Sequence, residues 1–275
     1  MAEAHRIAPD TAGHTGTRCA GKGVLMQAEV KGTTMPLLEM LLDPGEVLVS
    51  AHSELSWMTP NVEMTQTTST GGQKGLMSGL KRVVGGGGIF LTRFQATAGQ
   101  GMVAFGAKLP GRIFAVDVAP GQGYLVHQHG WVCGTEGIVP TVGLQQTFRG
   151  GMWGGEGFIL QRLEGQGRAW IELSGEITTY QLAEGQTMLV HPGHVGLFED
   201  RVRFDVRLLK GLKNKVFGGD GIFLVALTGP GNVWLQSMPL PVLAHALSPY
   251  LATEGGTTPN SGGSLGGAIN SLLGN

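Results

Sequence analysis

Charge is scarce in this chain. Only 14% of its 275 residues are Asp, Glu, Lys or Arg, and 19 basic residues nearly balance 20 acidic ones, for a formal net charge of −1. Proteins that hold nucleic acid through its phosphates carry a basic face, so no nucleic-acid partner is expected. Cysteine is scarcer still. Cys19 and Cys133 are too few for a disulfide framework and are read as reduced thiols of an intracellular protein. Neither lies in a recognisable nucleophile signature. No apolar run approaches the roughly 18 residues of a membrane-spanning helix. Residues 1–22 lack the continuous apolar core of a secretory signal. There is no nucleophile elbow, no spaced Ser/His/Asp set and no spaced Cys/His zinc pattern. These absences predict a cytoplasmic protein, at most peripheral to a membrane, with no cofactor and no evident enzymatic machinery.

What the chain has in abundance is glycine, 48 residues of it, and the glycines recur in register. Residues 111–174 overlie residues 175–238 at a fixed offset of about 64. Gly121, Gln122, Leu125, Val126 and His127 then fall on Gly185, Gln186, Leu189, Val190 and His191. Gly165, Gly167 and Trp170 fall on Gly229, Gly231 and Trp234. A looser copy lies upstream, with Gly45-Glu46 in the place of Gly121-Gln122 and Gly99-Gln100-Gly101 in the place of Gly165-Gln166-Gly167. The first copy carries extra residues near 65–79. Loop closure entropy grows only logarithmically with length, so the same core can survive the insertion.

Each copy reads as β-structure. Apolar runs rich in β-branched and aromatic residues alternate with glycine turns every eight to twelve positions or so, the spacing of a sandwich or barrel. The runs on either side of Gly165-Gln166-Gly167 predict a hairpin. A repeat of this length is too long for a solenoid rung or a propeller blade. The expected fold is therefore all-β: three jelly-roll or sandwich-like lobes in a pseudo-threefold arrangement. Its divisions are a flexible arm over 1–22, lobes over 23–110, 111–174 and 175–240, a short closing helix over 241–251, and a flexible tail over 252–275.

Two constellations are candidates for chemistry. In a strand, residues i and i+2 share a face, so His127 and His129 are placed to ligate one metal ion, with His191 and His194 as further ligands from the next copy. Gly121, the His-x-His pair, Glu136 and Gly143 resemble the first motif of the cupins, which hold a metal inside a β-barrel. This metal-binding reading is the alternative to a non-enzymatic one. The second constellation is basic and apolar together. Segments 76–84 and 208–217, with Lys81, Arg82, Lys210, Lys213 and Lys215, occupy matching places in two copies and suit a membrane surface or a protein partner. The glycine clusters at 85–88, 154–157 and 218–221 precede strands and lack a following Lys-Ser/Thr, so they read as turns rather than phosphate loops.

Leu42-Asp-Pro-Gly-Glu, Gly79-Leu-Lys-Arg, Gly154-Gly-Glu-Gly-Phe, Pro192-Gly193-His194-Val195 and Gly229-Pro-Gly-Asn-Val-Trp-Leu-Gln-Ser together resemble the altered-inheritance-of-mitochondria protein 24 family. The resemblance runs from about Val24 to Ser237. It implies three sandwiches per chain, with a fold like that of the tryptophan RNA-binding attenuation protein, and no established enzyme activity. Mitochondrial members are linked to inner-membrane organisation. The leading expectation is a homo-oligomeric scaffold or binding protein, with a membrane surface or a second protein as its further partner.

Overall fold

A computed structural model of the chain describes residues 5–7, 26–51, 54–68, 90–146, 158–209 and 222–247. About two thirds of them lie in strands, and all the strand pairings are antiparallel. The N-terminal strands are β1 (His5–Ile7) and β2 (Gln27–Lys31). The first copy contributes β3 (Leu37–Leu42), β4 (Val47–Ala51), β5 (Trp57–Met58), β6 (Val62–Thr68), β7 (Phe90–Ala96) and β8 (Gly101–Gly106). The second contributes β9 (Gly111–Val118), β10 (Tyr124–His127), β11 (Trp131–Thr135), β12 (Ile138–Gln146), β13 (Phe158–Gly165) and β14 (Gly167–Ser174). The third contributes β15 (Ile177–Leu182), β16 (Thr187–Val190), β17 (Val195–Glu199), β18 (Arg203–Leu209), β19 (Ile222–Thr228) and β20 (Gly231–Gln236). A helix, α1 (Leu240–Leu247), follows. Residues 1–4 and 8–22 of the N-terminal arm, 23–25 of the first lobe, 248–251 of the expected closing helix and the tail over 252–275 lie outside the described residues.

The strands form four sheets, and the copies share them. β2-β3-β8-β5 is a four-stranded sheet drawn from the first copy and the strand before it. The order β6-β7-β4-β11-β14-β9 joins three strands of the first copy to three of the second. The order β1-β15-β20-β17-β10-β13-β12 joins the second copy to the third, with β1 added at its edge. β16-β19-β18 completes the set. Each junction has the same form, the second strand of one copy paired with the third strand of the next. Val49 faces Gly134 across β4 and β11, and Leu125 faces Phe198 across β10 and β17.

The expected hairpin at Gly165-Gln166-Gly167 is not formed. β13 pairs with β12 and β10 in one sheet, whereas β14 pairs with β9 and β11 in another. The glycine turn is a corner between sheets. Flanking apolar runs signal a reversal of the chain, and they carry no information about which strand each run will pair with. Gly165 has φ +109, and a Cβ there would sit 2.0 Å from the Gly137 carbonyl oxygen. The corner thus requires glycine for both conformation and space.

Burial patterns follow from the layering. β3 alternates strictly between half-buried and buried residues, as expected of a sheet with one covered face. β14 is buried without interruption from Ala169 to Ser174. Its sheet is covered on both sides. One core joins Leu38, Met40 and Phe105 to Phe94, Val132 and Trp170. A second lies on the other face and joins Val49, Trp131 and Ile171 to Val126, Leu163 and Leu197. A third joins Leu125, Phe158 and Phe198 to Val190, Val225 and Leu227. Full burial of each such side chain contributes about 1.5–3 kcal/mol, and every core draws on at least two sheets.

The Gly-Glu/Gln motif of the repeat is a turn device. Gly45, Gly121 and Gly185 have φ of +92, +76 and +74 in open space. After two of them the next side chain closes the turn. The Asp43 amide donates to Glu46 Oε2 at 2.7 Å, and the Ala183 amide donates to Gln186 Oε1 at 2.9 Å.

Candidate functional site

The histidine corner begins where β10 ends. His127 is the last residue of that strand, and the Gly130 amide donates to its carbonyl at 2.8 Å, closing a turn through Gln128 and His129. The alternation of a strand therefore stops before His129. The two imidazoles do not share a strand face, and the expectation that they do is corrected. His129 is exposed, and Gln128 Nε2 donates to its Nε2 at 2.9 Å. The His127 ring folds inward instead. A Cβ on Gly130 would lie 2.9 Å from His127 Nε2, so the ring is packed directly against that glycine. His127 Nε2 is enclosed and has no hydrogen-bond partner among the described residues. Burial, with the neighbouring His129 second, pulls the His127 pKa down to about 3, while a hydrogen bond to the Glu172 backbone opposes the shift. An imidazole whose ring nitrogen is enclosed in this way is neutral at physiological pH.

His191 follows β16, and residues Pro192–His194 form one 3₁₀ turn. The rings of His191 and His194 meet edge to face, their centroids 5.8 Å apart. His194 Nδ1 is 2.8 Å from the Gln236 carbonyl oxygen. Burial, and then the nearby His194, lower the His191 pKa. Each candidate histidine is thus occupied in its own corner. Among the described residues no group of three or more His, Cys, Asp or Glu side chains is placed to hold a metal ion. Cys133 is free and buried, and burial pushes its thiol well above the ordinary range. Lys81, Arg82, Lys210, Lys213 and Lys215 lie outside the described residues, as do the three glycine clusters.

The most constrained polar groups are two that the sequence reading passed over. Glu172 is 5% exposed and accepts the Lys108 amide on Oε1 at 2.8 Å. Burial raises its pKa against the opposing hydrogen bonds from the Lys108 and Leu109 backbone. Gln236 is 6% exposed. Its Oε1 accepts the Ser174 amide at 3.1 Å and its Nε2 donates to the Gly193 carbonyl at 3.1 Å. Gln236 thereby ties β14 to the turn before β17. Nearby, the Glu176 amide donates to Ser237 Oγ at 2.8 Å. The available signal was a polar residue inside each of two apolar runs, at matching places in successive copies.

An open hollow of about 150 Å³ is lined by Glu63, Thr65, Arg93 and Gln95, below the several hundred Å³ of an ordinary small-molecule site. Arg93 Nη1 is 2.7 Å from Glu136 Oε1 beside it.

A multi-sheet, sandwich-like all-β protein, with buried Glu172 and Gln236 committed to joining strands and turns, is the class these features define. The model of the family described as mitochondrial biogenesis AIM24 matches residues 28–238, and the chain belongs to that family. The crystal structure of a Streptococcus pyogenes protein from a structural genomics consortium is similar, with TM-score 0.65 and 24% sequence identity over 82% of this chain and 100% of that one. That likeness concerns the fold. No curated protein matches the sequence. Among the described residues no helix is long and apolar enough to cross a membrane.

Proposed function

We propose that the protein is a non-enzymatic scaffold or binding protein that works as a homo-oligomer in the cytoplasm, peripheral to a membrane. One observation carries this reading. The buried polar side chains of Glu46, Glu172 and Gln236 are spent on tying turns and strands together rather than on lining a cleft. Broad sheets held this way offer surfaces, and surfaces suit association. The basic apolar segments 76–84 and 208–217 supply the charge that an anionic membrane surface or an acidic protein face would meet. The recurrence of one junction supports a regular disposition of the three copies, of which a pseudo-threefold array is the closed form.

Sedimentation of the purified protein, flotation with anionic liposomes, and co-purification from native cells test the proposal together. The expected result is a defined oligomer that also recovers a partner or floats with the vesicles. A strictly monomeric protein that binds neither would sink it.

A further inference from the structure

The two internal junctions predict a third. At each, the second strand of one copy pairs with the third strand of the next: β4 with β11, and β10 with β17. The third copy has a second strand, β16, and the first copy has a third strand, β5. Among the described residues, β16 pairs only with β19 and β5 only with β8. One half of the junction is therefore left on the third copy and the other half on the first.

Side-chain exposure marks the same two edges. Leu189 of β16 is 46% exposed, while its counterparts Leu125 and Val49 are 5% and 4% exposed within their junctions. Trp57 of β5 is 50% exposed, while its counterparts Cys133 and Leu197 are both 0%. Other open edges are protected in the usual ways. β2 carries Glu29 and Lys31, β9 carries Arg112 and Asp117, and β18 carries Arg203, Asp205 and Arg207. β12 contains Pro140 and a bulge between Val142 and Leu144. β16 (Thr-Met-Leu-Val) and β5 (Trp-Met) have neither charge nor proline.

We propose that β16 of one molecule pairs antiparallel with β5 of a second copy of this chain, repeating the internal junction between molecules. The register follows from the two junctions already formed. Val49 faces Gly134 and Leu125 faces Phe198, so Leu189 faces Met58 of the second copy. Ser50 faces Cys133 and Val126 faces Leu197, so Val190 faces its Trp57. The contact is head-to-tail, because the two surfaces differ, and it propagates until rotation closes a ring. This inference rests on the oligomeric reading above and names the surface that makes the oligomer.

The test uses the full chain with Cys19→Ser, leaving buried Cys133 in place. Two single variants, Met58→Cys and Leu189→Cys, are mixed and oxidised gently, and the Met58→Cys/Leu189→Cys double variant is oxidised alone. A disulfide between the two single variants is expected. Leu189→Lys, at an exposed position, is expected to leave the circular dichroism unchanged and to shift sedimentation to the monomer. A disulfide formed only within one chain of the double variant overturns the proposal, because the array then closes on itself. An oligomer that neither cross-links nor responds to Leu189→Lys overturns it while leaving the oligomeric reading intact. A monomeric wild type that binds neither vesicles nor a partner overturns both.

Discussion

Glu172 and Gln236 make the same bond one copy apart. Glu172 takes the amide of Lys108, and Gln236 takes the amide of Ser174. The first bond ties β14 to the strand end before β9, and the second ties β20 to the end of β14. One position carries an ionisable group and the other its neutral isostere, which makes a pair of exchanges informative. The folded pKa of Glu172 lies above its unfolded value, so the folded state binds the extra proton between the two. This group's contribution is full below the unfolded pKa and is lost as pH rises through the folded one. Glu172→Gln should flatten the decline of unfolding free energy just above pH 4.5. In the reverse exchange, Gln236→Glu sets a carboxylate oxygen against the Gly193 carbonyl. It should cost about 1–3 kcal/mol at pH 7 and less at acid pH. Urea unfolding of the parent and the two variants across pH checks both.

His127 has the opposite sign. Its folded pKa of about 3 lies below the ordinary imidazole value of 6.5. The unfolded chain therefore binds the proton first as pH falls, and stability supplied by the neutral buried ring is lost below pH 6.5. His127→Leu should remove a slope of about 1.4 kcal/mol per pH unit in that range. The His129→Leu variant, altered in an exposed turn, should keep it. Thermal unfolding of each variant against the parent between neutral and acid pH decides the point, and an unchanged slope in His127→Leu would refute it.

The sheet corners rank two glycines by space rather than by conformation alone. Gly99 and Gly165 open equivalent corners, with φ of +63 and +109. A Cβ on Gly99 meets nothing within 4 Å, while one on Gly165 meets the Gly137 carbonyl oxygen at 2.0 Å. Gly99→Ala should cost about 1 kcal/mol from its left-handed backbone, and Gly165→Ala more than about 2 kcal/mol because backbone must move as well. Equal losses in denaturant titrations would contradict this account.

Metal dependence can be tested directly, since no three ligands gather among the described residues. Chelation should leave the melting temperature unchanged, and His129→Ala should fall within about 0.5 kcal/mol of the parent, as exposed positions do. Stoichiometric metal in elemental analysis of the purified protein, lost in His129→Ala, would reinstate the metal reading.

The sequence disclosed most of the strands. Glycine turns and β-branched runs are local signals, and the fixed offset between copies brings β9 to β14 onto β15 to β20. It misread the corner at Gly165-Gln166-Gly167, because sheet membership depends on distant partners that no window of residues contains. The histidine pair failed for a related reason. Alternation predicts a shared face only while the strand continues, and the turn closed by Gly130 ends it at His127. Glu172 and Gln236 were visible as polar interruptions of apolar runs, but their meaning lay in the backbone amides they meet, some 60 positions away.

The shared sheets also bear on how such a chain arose. The stretch that repeats and the stretch that forms a sheet are out of phase by half a copy, since each middle sheet takes three strands from one copy and three from its successor. A single ancestral copy would have held two half-sheets, each with a hungry edge, and would have needed a separate molecule at both. Carrying the copies on one polypeptide places those encounters inside a single molecule, where pairing does not depend on concentration.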